Sequence, residues 1–148
     1  MRQVLFMAAA IAMAAGTASA APPSADAEYE RLQAFCRKGD VGQDRITGCM
    51  FDRVDRLRKD LAGAVRKKLF EISEVEKEEA GPGVLSGKED ADRWRTAFEL
   101  EQSAWANYER ARCKNILDFE RYGGSGAGQA QAACSIRLIL RRIHELRE

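Results

Sequence analysis

The sequence predicts an all-α protein of three to four antiparallel helices, one of them long, stapled by two disulfides. Apolar residues recur every three or four positions over long stretches, which is the period of an amphipathic helix. No stretch shows the apolar–polar alternation that marks a β-strand. The breaks between the helical stretches are short, and short connections place neighbouring helices antiparallel.

The N-terminal residues 1–20 have the pattern of a secretory signal peptide. Arg2 precedes an apolar core over Val4–Ala15, and Ala18-Ser19-Ala20 is an A-x-A cleavage site. The apolar core is too short to span a bilayer, so a membrane anchor is disfavoured. We therefore expect cleavage after Ala20, a mobile lead-in over residues 21–25 and one domain over residues 26–148. The mature protein would be periplasmic or secreted, without membrane insertion.

The charge balance excludes one class of partner. Without Arg2, the mature chain would carry equal numbers of basic and acidic residues. Nucleic acids and anionic lipids attract proteins that present a positive surface. A neutral chain therefore argues against nucleic-acid binding.

The first two helices are predicted over Asp26–Lys38 and Asp44–Ala80. Asp26 is a suitable N-cap for the first helix. The second helix has a single apolar stripe, and its last turns gather five glutamates against one lysine. Negative charge at a helix C-terminus opposes the helix dipole, so this end is expected to fray.

The third and fourth helices follow two glycine-rich breaks. Ser86 and Glu89 form a capping-box pattern that starts a third helix, which extends to about Arg121. Large aromatic residues line one side of it, and alanines spaced by seven lie beside them, which favours close packing against another helix. These alanines are Ala97, Ala104 and Ala111. The glycine-rich loop Gly123–Gly128 then leads into a fourth helix over Gln129–Arg147.

The four cysteines indicate two disulfides, because an even number in an exported chain is typical of a disulfide framework. Cys36 and Cys49 flank the first turn, and Cys113 and Cys134 flank the glycine-rich loop. Four cysteines allow three pairings, and these positions favour Cys36–Cys49 and Cys113–Cys134. The long spacings and the single histidine disfavour zinc, and the absence of C-x-x-C disfavours a redox dithiol.

No set of residues indicates an enzyme or a cofactor site. His144 has no cysteine or serine nucleophile in a recognisable relation to it. The glycine-rich loop lacks the lysine and Ser/Thr that complete a phosphate-binding loop, so it is interpreted as a helix connection. The sequence therefore predicts a non-enzymatic protein without metal or cofactor.

Two stretches are hypothesised to contact a protein partner. The first is the acidic end of the second helix, where charge is placed against the helix dipole and would suit a basic partner. Its candidate residues are Glu74, Glu76, Glu78 and Glu79. The second stretch is the glycine-rich loop, with Gly124 and Ser125 as candidate contacts.

The third helix also carries a spaced motif. Gln102, Trp105 and Tyr108 recur every three residues and are interpreted as core packing, with the amide and the hydroxyl at the edge of the core. Together with the cysteines and Arg142 they form three patterns. The patterns are Leu100-x-Gln102-x-x-Trp105-x-x-Tyr108-x-x-x-x-Cys113, Gly123-Gly124-Ser125 and Cys134-x-x-x-Leu138-x-x-x-Arg142-x-x-Glu145-Leu146.

In this order, the patterns resemble the lysozyme-inhibitor LprI-like family, which comprises small exported bacterial helical domains, most of unknown function. The resemblance covers Leu100 to Leu146 and extends upstream through Cys36, Cys49 and Asp55. It departs from the family after Asp55, where the usual Leu-Asn and Tyr signature of the long helix is replaced.

The resemblance implies a periplasmic, non-enzymatic binding protein that inhibits a lysozyme or another cell-wall hydrolase. A neutral chain lacks the overall negative charge that speeds association with a basic lysozyme, although the acidic helix end offers a local patch. The alternative is a structural or adaptor module of the cell envelope that binds another protein through an exposed helical groove.

Overall fold

The computed structural model describes residues 23–39, 41–79, 82–121, 124 and 126–148, and the predicted signal peptide lies outside them. The described part contains four α-helices and no strand, which confirms the all-α prediction. Two of these helices are long rather than one. The helices are α1 (Ala25–Cys36), α2 (Gln43–Glu74), α3 (Gly87–Asn115) and α4 (Ala127–Glu145). A 3-10 turn (Val75–Lys77) continues α2, and a π-helical turn (Ile116–Glu120) continues α3.

Helix α4 lies at the centre of the bundle and packs against the other three helices. Its first turn lies beside the first turn of α2, where Gln43 Nε2 donates to Gln129 Oε1, so α2 and α4 run parallel. Helices α1 and α3 run antiparallel to them: Arg141, late in α4, forms an ion pair with Asp26 at the start of α1. No helix in the described part is long and apolar enough to cross a membrane.

The main core lies between α1, α2 and α4. Its side chains are nearly inaccessible to solvent because the apolar stripes of the three helices face one another. Each large apolar side chain buried here contributes roughly 1.5–3 kcal/mol of transfer free energy. The largest members are Met50, Val54, Leu57, Ile136, Ile139, Leu140 and Ile143.

A second, smaller cluster joins the later half of α2 to the first half of α3. Ile72, Phe98 and Leu146 are buried in it, and Trp94 and Leu69 pack against it. Past this cluster the 3-10 turn contacts only α2 and α3. The described residues from Glu71 to Asp92 therefore form a two-helix end of the bundle, which we call the tip.

Both disulfides expected from the sequence are present. Cys36–Cys49 joins α1 to α2 and Cys113–Cys134 joins α3 to α4, with Cα–Cα distances of 5.6 and 5.5 Å. Both distances lie within the usual range for a disulfide. Both bridges lie near the first turns of α2 and α4, at the end of the bundle opposite the tip.

Three predicted helix ends are corrected by the structure. Ser24, not Asp26, caps α1, because Ser24 Oγ accepts from the N–H of Ala27 at 3.2 Å. At the start of α3 the Ser86 N–H donates to Asp90 Oδ2 at 3.1 Å, so the predicted capping box with Glu89 is wrong. Helix α2 was predicted to continue to residue 80, but it becomes a 3-10 turn after Glu74. Negative charge at a helix C-terminus is unfavourable, and this favours the earlier end of the helix.

The interpretation of Tyr108 as a core residue is also wrong, because its side chain is 55% exposed. At about 100° per residue, Tyr108 is rotated about 60° from Trp105, away from the core. Glu109 takes the buried position in its place. The inner face of α3 is formed by Phe98, Gln102, Trp105, Glu109 and Cys113.

The aromatic and alanine pattern of α3 is only partly internal. Phe119, an aromatic residue within the predicted third helix, is 70% exposed, because the π-helical turn shifts the register after Asn115. The three alanines spaced by seven, Ala97, Ala104 and Ala111, are all exposed. They therefore do not pack against another helix of this chain.

Candidate protein-binding site

The loop of the tip presents two apolar side chains to solvent. Val84 and Leu85 are each 54% exposed. Gly83 and Gly87 flank this loop with φ values of +77° and +76°, a conformation that glycine adopts without strain. Sequence reasoning missed Val84 and Leu85. The sequence did contain a signal for their exposure. Two large apolar residues lie in the connection between two predicted helices, where they belong to the apolar stripe of neither helix.

The segment that carries these two apolar residues is rich in carboxylates. The sequence from Glu71 to Asp92 contains eight acidic residues and two lysines. Three of the carboxylates, on Glu78, Glu79 and Glu89, form no ion pair with any residue that the structure describes. The other five lie beside a lysine or an arginine, and they are Glu71, Glu74, Glu76, Asp90 and Asp92.

The ion pairs of the predicted contact residues are exposed and exchangeable. Glu74 Oε1 lies 2.7 Å from Lys77 Nζ, and both side chains are largely open to solvent. Glu76 Oε1 lies 3.4 Å from Arg95 Nη2. Exposed ion pairs of this kind contribute about 0–1 kcal/mol. A cationic partner can therefore replace the internal lysine or arginine at little cost in free energy.

Three carboxylates of the tip, on Glu71, Asp90 and Asp92, have pKa values below their ordinary values. A hydrogen bond from Lys88 holds the pKa of the Asp92 carboxyl below its ordinary value. The backbone N–H of Ser86, followed by Arg93, lowers the pKa of Asp90 in the same way. The Lys68 ammonium lowers the pKa of Glu71. Because these pKa values are lowered, the negative charge persists as the pH falls.

The glycine-rich loop lies at the other end of the bundle. The Gly124 N–H donates to Arg121 O at 3.0 Å, and Gly124 O accepts from the N–H of Ala127 at 2.9 Å at the start of α4. Ser125 lies outside the described residues. Since α2 alone is about 48 Å long, the two predicted contact surfaces do not form one site.

An open groove beside this loop has the opposite charge to the tip. The groove has a volume of about 630 Å³ and is lined by Arg37, Arg121 and Arg137, with Glu120 as the single acidic residue among the described residues that line it. None of the three arginines forms an ion pair with another described residue. Arg137 lies over the ring of Tyr29, 4.0 Å from its centroid. This basic groove is unsuited to a basic partner.

Of the motif residues, Gln102 and Arg142 join α3 to α4. The Arg142 side chain is buried, with Nη1 2.9 Å from Glu145 Oε2 and Nη2 2.7 Å from Glu101 Oε1. Its Nε donates to Gln102 Oε1 over a long 3.4 Å. Trp105 packs against the edge of the main core. These contacts give Gln102, Trp105 and Arg142 a structural role in the bundle.

Glu109 is a buried acidic residue that sequence reasoning missed. Ser135 Oγ of α4 donates to Glu109 Oε1 at 2.5 Å, and Arg58 Nη2 of α2 lies 3.8 Å from the same oxygen. Its spacing in the sequence indicated this burial. Glu109 follows Trp105 by four residues and precedes Cys113 by four, so the three share one face of the helix. One carboxylate therefore connects three helices.

We expect Ser135→Ala to lower the free energy of unfolding by about 1–3 kcal/mol, because the buried Glu109 carboxylate would lose its closest hydrogen-bond donor. Urea unfolding followed by circular dichroism measures this change. Ser103→Ala, at an exposed position of α3, is the matched control and should change stability little. Equal stabilities of the two variants would contradict a stabilising role for the Ser135–Glu109 contact.

The comparison with known families covers the bundle from the last residue of α1 onward. No curated protein and no solved structure matched the chain. The family model described as lysozyme inhibitor LprI matches residues 36–146. This range includes both disulfides, the tip and the Arg142 network.

Proposed function

Because this chain belongs to the LprI family of lysozyme inhibitors, we propose that it is a non-enzymatic binding protein that inhibits a lysozyme or a related cell-wall hydrolase. The observation that carries the proposal is the tip, where exposed apolar side chains lie among carboxylates. We further propose that residues 1–20 are a signal peptide and that residues 26–148 act as one domain in the periplasm or outside the cell. Two disulfides are typical of such an oxidising compartment.

The tip has the composition of a small protein-binding surface. Protein interfaces commonly have an apolar centre that is dehydrated on binding and a polar rim that stays near solvent. Val84 and Leu85 would form that centre, and Glu78, Glu79 and Glu89 would form part of the rim. Only two helices and their connecting loop build the tip in the described part of the chain. We propose that this projecting end enters the substrate cleft of the hydrolase.

The neutral total charge of the mature chain does not weaken this proposal, because the charge is unevenly distributed. Eight of the 23 acidic residues lie at the tip, and the arginine-lined groove lies at the other end of a helix about 48 Å long. Exposed charges are screened over about 8–10 Å at physiological salt. A basic enzyme that approaches the tip therefore meets a local negative potential.

Neutralising the acidic residues of the tip should weaken inhibition. The variant Glu74→Gln/Glu76→Gln/Glu78→Gln/Glu79→Gln should bind a basic lysozyme roughly tenfold more weakly, and added salt should reduce its affinity less than that of the unmodified protein. The measurement is the clearing of purified cell walls by a panel of basic and neutral lysozymes with the oxidised mature protein.

A matched variant separates the local charge from the total charge. Glu30→Gln/Asp44→Asn/Asp52→Asn/Asp60→Asn removes the same amount of charge at exposed positions outside the tip. Equal losses in the two variants would show that only the total charge matters. Loss of inhibition in Ser125→Arg, with the tip variant unaffected, would instead move the contact to the glycine-rich loop and its neighbour Gly124.

A structural or adaptor module of the cell envelope is the second candidate function. The observation in its favour is the apolar outer face of α3, which no described part of this chain covers. If the protein inhibits no member of the lysozyme panel at micromolar concentration, the inhibitor proposal fails and the adaptor function is favoured.

A further inference from the structure

The outer face of α3 is an apolar stripe without a partner in the described part of the chain. All five of its members are exposed, including Leu100 at 70% and Tyr108 at 55%. Successive members are three, four, four and three residues apart, so they lie within an arc of about 80° on the helix surface. The members of this stripe are Ala97, Leu100, Ala104, Tyr108 and Ala111.

The spacing of the stripe is the same in both directions from Ala104. If α3 from a second copy lies antiparallel and crosses at Ala104, Leu100 faces Tyr108 of that copy. Ala97 then faces Ala111, and Ala104 faces Ala104. A two-fold symmetric interface requires this self-complementarity, because the same surface serves both copies.

The side-chain sizes also suit a helix pair. Helix axes approach to about 8–10 Å, and the separation depends on the residues at the contact, so alanines at every seventh position allow the closer end of that range. A shallow depression borders Leu100. It is lined by Thr96 and Ala97 and, towards the tip, by Glu89, Asp92 and Arg93. The ring of Tyr108 from the second copy would fill it.

The charge along α3 selects the antiparallel orientation. The half from Gly87 to Glu101 carries five acidic and three basic residues. In the half from Gln102 to Asn115, Arg110, Arg112 and Lys114 are exposed, and the single acidic residue, Glu109, is buried. An antiparallel pair places the acidic half of one helix beside the basic half of the other, which favours association, whereas a parallel pair would place like charges together.

We propose that the protein forms an antiparallel homodimer through the outer face of α3, with the two-fold axis at Ala104. The partner is a second copy of this chain, because the stripe is complementary to itself in spacing, size and charge. The two tips then lie at opposite ends of the dimer. The dimer does not depend on inhibition of a lysozyme.

The oligomeric state of the oxidised mature protein tests this proposal. Sedimentation should show a dimer, and Ala104→Glu should raise the dimer Kd by roughly 100-fold or more, because two glutamates would meet at the axis. Ala62→Glu, at an exposed position of α2, is the matched control and should remain dimeric. A monomer at every soluble concentration, or an Ala104→Glu variant that still forms the dimer, would overturn the proposal.

Cross-linking through single added cysteines tests the register. Under mild oxidation Ala104→Cys should form a disulfide-linked dimer with itself. Ala97→Cys alone should not, whereas a mixture of Ala97→Cys with Ala111→Cys should. Efficient linkage of Ala97→Cys to itself would indicate a parallel pair and contradict the antiparallel arrangement.

Discussion

Replacing all four cysteines with serine is expected to unfold most of the protein at room temperature. The disulfides close loops with sequence separations of 13 and 21 residues. Each closure stabilises the fold by about 3 kcal/mol, chiefly by restricting the unfolded chain. The combined loss of roughly 6 kcal/mol is comparable with the entire free energy of unfolding of many small domains, which is about 5–15 kcal/mol. Far-UV circular dichroism and urea unfolding measure the effect.

The two single-bridge variants are the controls for this prediction. Cys36→Ser/Cys49→Ser and Cys113→Ser/Cys134→Ser should each lose about 3 kcal/mol and remain folded, because each retains the other bridge. If the four-serine variant keeps the stability of the unmodified protein, packing alone holds the helices together and the prediction is wrong.

Ile136→Ala should lower the free energy of unfolding by about 2–5 kcal/mol. Ile136 is 1% exposed and lies in the main core between α1, α2 and α4. Its truncation removes buried apolar contacts and leaves a cavity between three packed helices, which relax only partly to fill it. The midpoint and slope of urea unfolding give the change.

Leu85→Ala is the matched control, because Leu85 is also aliphatic but lies exposed in the loop of the tip. We expect its free energy of unfolding to change by no more than about 0.5 kcal/mol. A similar loss in both variants would mean that burial in the main core does not determine the cost of truncation.

The parts of the fold that depend on local sequence were predictable. The period of the apolar residues identified the helices, and two cysteine pairs that flank short connections indicated the correct bridges. The inward-facing side of α3 was harder to predict from the sequence. Tyr108 is more apolar than Glu109, but Glu109 is the residue that faces the core. Only the position of Ser135 and Arg58 on neighbouring helices makes a buried carboxylate acceptable at that site.

The candidate site was only partly accessible to sequence reasoning. The glutamates of the tip were identified, but the pairing of Glu76 with Arg95 requires two helices to lie side by side. The exposure of Val84 and Leu85 depends on a loop whose apolar residues fit no periodic pattern. The alanines of α3 were expected to pack against another helix, but the sequence does not show that the other helices of this chain lie on the opposite side.

Because of the position of the two disulfides, one end of the bundle is more constrained than the other. Both cross-links hold the end that contains the glycine-rich loop, whereas the tip is held by a few buried side chains. These are Ile72, Phe98 and Leu146 of the second cluster, with Val75 and Ala91. We therefore expect local unfolding to begin at the tip, where the free energy of opening should be smallest. A partner that binds the tip would suppress this fraying. Part of the binding free energy would then be offset by the cost of ordering the two helix ends. The disulfide-linked end would keep its structure when the partner binds. The protein would then combine an adaptable contact surface at the tip with a rigid opposite end.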